Sequence, residues 1–433
     1  MRASRVLEAL VLSVLLSSCS CDAEERQRPL THTPGDGGRD WDAAFGEIDA
    51  GADSGHDIIS NGTRLCSYDD EDIVTLEAHD AELGLSSATN DVGFALLHHA
   101  QDGALVIEAV EVGQTAQPTV RLVPAASAPR KAMIAASEDA FAMAFVASDT
   151  LSLRLLEGGA ETHVLSEAVE LGEGGAELFD LIGDGDGYRA IYAEREAGEI
   201  VVRVQAIDAS GAPDGDVTSV ALPEGTEPGH IALAKLDEGY LLGYSEAVAE
   251  DEDGTRVMGL VLDDAFEGDG EPVLLSMTPS NRLAFALDAR AGSAGVLYQG
   301  LEGGVRPTVK LQRVEGDGSI EQDSLNITSA PRRATDGSLA AFGQGYAVAY
   351  RAQTSLGAEQ PSIRIAFVNQ FGLVVHDAEL AATTDEPGPT SVTSTADGKL
   401  LVSWISLDGQ TPVTRAIQLD CPGALLLCGG RVD

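Results

Sequence analysis

The sequence predicts an all-β fold, a seven-bladed β-propeller preceded by a signal segment and a tether. Three observations predict it. A short unit recurs seven times at intervals of about fifty residues. Each recurrence divides into four strand-like stretches. No helical periodicity runs through the repeating part.

The unit is a Gly or small residue, an aromatic or aliphatic residue, then a short apolar run. It reads Gly93-Phe94-Ala95-Leu96-Leu97, Ala140-Phe141-Ala142-Met143-Ala144-Phe145, Gly187-Tyr188-Arg189-Ala190-Ile191-Tyr192 and Gly239-Tyr240-Leu241-Leu242-Gly243-Tyr244. It continues as Gly295-Val296-Leu297-Tyr298, Gly345-Tyr346-Ala347-Val348-Ala349-Tyr350 and Lys399-Leu400-Leu401-Val402-Ser403-Trp404. The second positions, 94, 141, 188, 240, 296, 346 and 400, are spaced by 47, 47, 52, 56, 50 and 54 residues. That is the period of propeller blades. The uneven spacing leaves six or eight blades as alternatives.

Within a unit the first strand is rich in small residues, as in Ile231–Leu236, and the unit's own apolar run is the second. The third alternates, as in Ile200–Ile207 and Val309–Val314, the mark of a half-buried strand. A turn follows with Gly four residues after the last apolar position: Ile207 to Gly211, Val314 to Gly318, Val368 to Gly372. Glycine takes positive φ there without steric cost. The fourth strand is short, as in Pro272–Ser276.

The seventh unit has its third strand at Pro412–Leu419 and no fourth, whereas Asp72–Glu77 is a strand without a unit. This N-terminal strand is expected to complete the last blade, because an unpaired sheet edge invites association. Antiparallel pairing of 72–77 with 412–419 brings Cys66 near Cys421 and predicts a disulfide between them. Cys66–Cys428, and a local Cys421–Cys428 loop, are the alternatives.

The N-terminus carries Met1, Arg2 and Arg5, then an apolar run from Val6 to Leu16 broken by Glu8 and Ser13. A membrane-spanning helix needs about 20 residues, so this run reads as a signal segment, residues 1–18. Leu16-Ser17-Ser18-Cys19 resembles the lipobox of bacterial lipoproteins, which implies cleavage before Cys19 and lipid on its thiol. Ser20 in place of Asp leans toward the outer membrane, facing either periplasm or cell surface. Residues 19–62 are dominated by Gly, Asp, Pro and Ala and read as a tether. A flexible chain of about 40 residues has a reach of about 35 Å. The folded part is then expected over 63–433. From Thr63 to Leu419 the chain resembles the secreted or lipid-anchored β-propellers of bacteria. The resemblance rests on period and strand pattern. The Trp-Asp dipeptide and the kelch signature are absent from the repeats, so it carries no functional residues over.

With 27 Lys+Arg against 70 Asp+Glu, the net charge is −43, which excludes nucleic acid and anionic lipid surfaces as natural partners. A 44% apolar fraction marks a globular protein with an acidic surface. A monomer is expected, with the membrane as one partner through Cys19 and an envelope protein as another.

Candidate chemistry is sparse. Asp184-Gly185-Asp186-Gly187 and Asp251-Glu252-Asp253-Gly254 could offer oxygen ligands to calcium, with Asp184 and Asp186 the better pair, but neither loop has EF-hand spacing. No C-x-x-C pair points to zinc. His98 and His99 are strand neighbours facing opposite ways, one expected buried and the other exposed. His79, His163, His230 and His376 are scattered. There is no G-x-S-x-G elbow, and Gly172-Glu173-Gly174-Gly175 lacks the context of a phosphate loop. Only 5% aromatics, with Trp41 and Trp404 the two tryptophans, weighs against a carbohydrate enzyme. The leading reading is a non-enzymatic binding or assembly module without a cofactor. The alternatives are an envelope hydrolase or lyase using acids at the channel, and a calcium-dependent adhesion protein.

Overall fold

The computed structural model describes the chain from residue 55 to residue 429, apart from short stretches between strands such as 79–84, 112–118, 248–254 and 279–285. The structural statements below concern the described residues. The signal, Cys19, Cys21, Trp41, His79 and Asp251–Gly254 lie outside them, as does the tether up to residue 54.

The strands form seven separate antiparallel sheets. In blades 1 to 6 they follow chain order across the sheet, and blade 2 divides its outer strand into Thr162–Leu165 and Val169–Gly172. The inner strands are Leu85–Thr89, Lys131–Ala136, Phe179–Asp184, Pro228–Lys235, Ala286–Arg290, Arg332–Phe342 and Thr390–Ser394, in blades 1 to 7. Each touches the next, and Thr390–Ser394 touches Leu85–Thr89, so the ring closes at seven.

All seven repeat units lie in second strands: Gly93–His99, Phe141–Ala147, Gly187–Glu196, Tyr240–Ala247, Ser293–Glu302, Gly345–Thr354 and Lys399–Asp408. These strands read as apolar runs because a blade packs against a neighbour on each face. Buried clusters fill the seams, for example Tyr188 and Tyr192 with Ala144 and Leu153 between blades 2 and 3, and Phe342 and Phe367 with Trp404 between blades 6 and 7. Two-sided packing also corrects the expectation for His98 and His99: both are buried, at 0% and 1% exposure.

The unit's glycine has a steric cause. A Cβ on Gly345 would stand 2.0 Å from the carbonyl oxygen of Val368, where the second strand starts against the end of the third. Gly211, Gly318 and Gly372 adopt positive φ in the turns after the third strands, as their positions predict. In blade 4 that place is held by Phe266, at φ 61°, whose ring stacks on Tyr240 at 4.6 Å.

Both chain ends build blade 7. Val74–Ala78 pairs antiparallel with Thr411–Asp420, Val74 opposite Ala416 and Ala78 opposite Val413. Cys66 and Cys421 form the disulfide, at a sequence separation of 355, and Cys428 is buried outside it. Two features depart from the sequence reading. Gly55–Ser60, within the stretch read as tether, pairs with Thr63–Asp69 as a hairpin. Pro422–Leu427 forms a short helix, too brief for its period to register, with Pro in its first turn where no intrahelical N–H is needed.

Candidate functional site

The inner strands diverge too much to share a backbone ladder, yet their buried N–H groups need acceptors. Side chains supply several of them. Ser86 of blade 1 accepts from Ile134 N of blade 2 at 3.2 Å, and Asp180 of blade 3 accepts from Leu233 N of blade 4 at 2.8 Å. Asp288 of blade 5 accepts from Ala341 N of blade 6. At the closing seam the Ser87 and Ser391 hydroxyls lie 2.6 Å apart.

At the upper end, where inner strands begin, this stitching gathers three titratable groups. Lys131 donates to the carbonyl of Phe179 at 3.1 Å, and its ammonium stands 4.8 Å from the Phe179 ring centroid. Asp180 follows, its second oxygen accepting from Leu181 N at 2.9 Å. Burial raises its carboxyl to about 6, against the lowering effect of both N–H bonds and of Lys131. Burial likewise lowers Lys131, with Asp180 opposing. His230 of blade 4 is lowered by burial and then by Lys131. Its Nδ1 lies 3.4 Å from the Ser245 hydroxyl. Sequence reading missed this trio, whose members lie about fifty residues apart in the chain. The available signal was a single charge within an apolar strand, as in Phe179-Asp180-Leu181.

The structure separates Asp184 from Asp186. Asp184, ending the inner strand of blade 3, meets Arg189 at 2.8 Å and Lys235 at 3.7 Å and accepts from the Tyr240 hydroxyl of blade 4 at 2.7 Å. Asp186 is exposed in the adjoining turn. Asp184 thus joins blades 3 and 4. Asp377 plays a similar part within blade 6, taking Arg364 at 2.9 Å, the Tyr350 hydroxyl at 2.7 Å and Arg332 at 3.5 Å. His376 beside it is lowered, chiefly by burial.

At the lower end, which carries the turns after the inner and third strands, a groove of about 710 Å³ opens across blades 4 and 5. Glu238, Asp263, Asp264, Glu267, Glu271 and Asp317 line it. Asp264 is held below its usual value by Lys235 and Asp317 by Ser319, so both are anions at neutral pH. Among the described residues, no group of three or more His, Cys, Asp or Glu is arranged to hold a metal ion.

Together these features define a closed seven-bladed β-propeller whose inner-strand carboxylates are tied into the scaffold. No protein-family model matches the chain, and no curated protein does. Similar solved structures include a Mycobacterium tuberculosis puromycin-hydrolysing peptidase, with TM-score 0.48 and 13% identity over 78% of this chain and 54% of that one. The chain therefore spans about half the length of that peptidase. A subtype N10 neuraminidase-like protein of A/little yellow-shouldered bat/Guatemala/060/2010 gives TM-score 0.40 at 10% identity, covering 69% of this chain and 97% of that one. An α-L-arabinanase of Penicillium chrysogenum gives 0.36 at 12%, covering 52% and 76%. None carries a residue role onto this chain.

Proposed function

We propose that the protein is a bacterial envelope lipoprotein, held at the outer membrane by acyl chains on Cys19. In this reading its propeller is a non-enzymatic binding or assembly module. The observation that carries the module reading is the employment of the carboxylates. Asp180 gives both oxygens to backbone N–H groups, Asp184 meets two cations and a phenol, and Asp377 meets two guanidinium groups and a phenol. Groups so committed hold the scaffold together, between blades at Asp180 and Asp184 and within blade 6 at Asp377. The disulfide supports export, because such bonds persist in oxidising compartments.

The hydrolase or lyase reading draws on the raised carboxyl of Asp180 beside Lys131, since perturbed groups gather at catalytic sites. The two N–H bonds on that carboxylate weigh against it. Cross-linking in intact envelopes followed by affinity purification is expected to recover one defined protein partner. Purified protein that turns over an envelope polymer, with no partner recovered, overturns the module reading. Mass analysis of the mature N-terminus is expected to find an acylated Cys19.

A further inference from the structure

The lower surface of blades 6 and 7 differs from the rest of this acidic molecule. The turn after the third strand of blade 6 presents Phe371 and Leu373, 63% and 58% exposed. In blade 7 the helix Pro422–Leu427 follows the third strand instead and presents Leu426 and Leu427, 59% and 44% exposed. The two segments adjoin: Gln344 N, from the lower end of blade 6, donates to Cys428 O at 2.8 Å, and Gly429 lies against the Gln344 and Gln370 side chains. Neither carries a charge. Residues 369–375 read NQFGLVV and 421–429 read CPGALLLCG, within a chain of net charge −43.

The N-terminal hairpin reaches the same corner. The Cys66–Cys421 bond fixes Thr63–Asp69 at the start of the helix, and Gly423 packs on the Arg64 backbone so closely that a Cβ would stand 2.2 Å from its carbonyl oxygen. Gly55 pairs with Asp69 in that hairpin, so the described chain begins on this side of the ring, and residues 20–54 separate it from Cys19 in sequence. A tether of that length reaches about 30 Å as a coil.

We propose that this apolar corner docks on a bilayer, with Phe371, Leu373, Leu426 and Leu427 entering the boundary between headgroups and acyl chains. This rests on the reading that Cys19 is acylated. The tether keeps the corner near the leaflet that holds the lipid, which makes docking an intramolecular event with a high effective concentration. Apolar side chains supply the attraction. The acidic remainder of the surface restricts the target to zwitterionic lipid, because anionic headgroups repel it.

The test uses the full mature protein reconstituted in phosphatidylcholine vesicles. Phe371→Trp is introduced in a Trp41→Phe background, leaving Trp404 as a buried constant signal. Vesicles are expected to shift the emission of the introduced indole to the blue, and doxyl-labelled lipid to quench it. Leu426→Ser with Leu427→Ser is expected to remove most of that quenching while the protein still floats with the vesicles. Unshifted emission from acylated, floating protein overturns the docking and leaves the anchoring intact. An unmodified Cys19 overturns both. A blue shift without lipid that follows protein concentration, together with dimer sedimentation, assigns the corner to a second copy and also overturns the proposal.

Discussion

Asp180 bears the cost of being useful at a crowded axis. A buried carboxylate loses its hydration, and here two backbone N–H bonds and a nearby ammonium replace only part of it, leaving the carboxyl at about 6. An unfolded Asp titrates near 3.9. Between those values the folded chain binds more protons than the unfolded one, so this residue's contribution to stability declines as pH rises through the window. Two pH units correspond to about 3 kcal/mol, an order-of-magnitude figure. Asp180→Asn keeps an acceptor but removes the charge. Denaturant unfolding of both proteins from pH 4 to pH 7 is expected to show wild-type stability falling relative to Asp180→Asn up to about pH 6, then running parallel. Parallel curves throughout would show that Asp180 has no such linkage.

At the scale of the strand, the repeat unit records a collision between neighbours. Gly345 has no unusual φ; its constraint is the Val368 carbonyl oxygen, 2.0 Å from where a Cβ would sit. Gly345→Ala must therefore push apart the second and third strands of blade 6, and overpacking of this kind costs about 1–3 kcal/mol. Thermal unfolding is expected to show the loss, and a variant as stable as wild type would mean that the strands separate freely there. The same collision is why the fold could be read from the sequence. Close approach to a third-strand carbonyl demands Gly in blades 3, 4 and 6, and two-sided packing demands an apolar run in every blade, so the run leaves a mark about fifty residues from the last. Where chemistry substitutes for a standard residue, the mark fades. Phe266 occupies a positive-φ turn that elsewhere holds Gly, its strain offset by stacking on Tyr240, and the blade 4 turn went unread. The hairpin strand Gly55–Ser60 was hidden by a composition shared with the tether. The Lys131–Asp180–His230 group was illegible because the packing of successive inner strands, not sequence proximity, assembles it.

Across the whole molecule the closing seam is built differently from the others. Between blades 7 and 1 the buried cluster among the described residues is Phe94, Leu96, Leu401 and Ala416. What holds the circle shut is the strand Val74–Ala78 completing blade 7 and the disulfide beside it. A crosslink spanning 355 residues restrains nearly the whole unfolded chain, and removing a native disulfide typically costs about 2–5 kcal/mol. Its position predicts more than a uniform loss. In Cys66→Ser with Cys421→Ser, the N-terminal strand can leave blade 7 while the other six blades stay packed, a sub-global opening below the energy of complete unfolding. Hydrogen exchange is therefore expected to accelerate first at Val74–Ala78 and its partner residues 413–416, and then at Leu85–Thr89 across the seam. The strands of blades 3 and 4, such as Tyr188–Tyr192 and Tyr240–Tyr244, should keep their protection. If every blade instead loses protection by the same factor, the crosslink acts only through the unfolded chain and the seam is no weaker than its six counterparts.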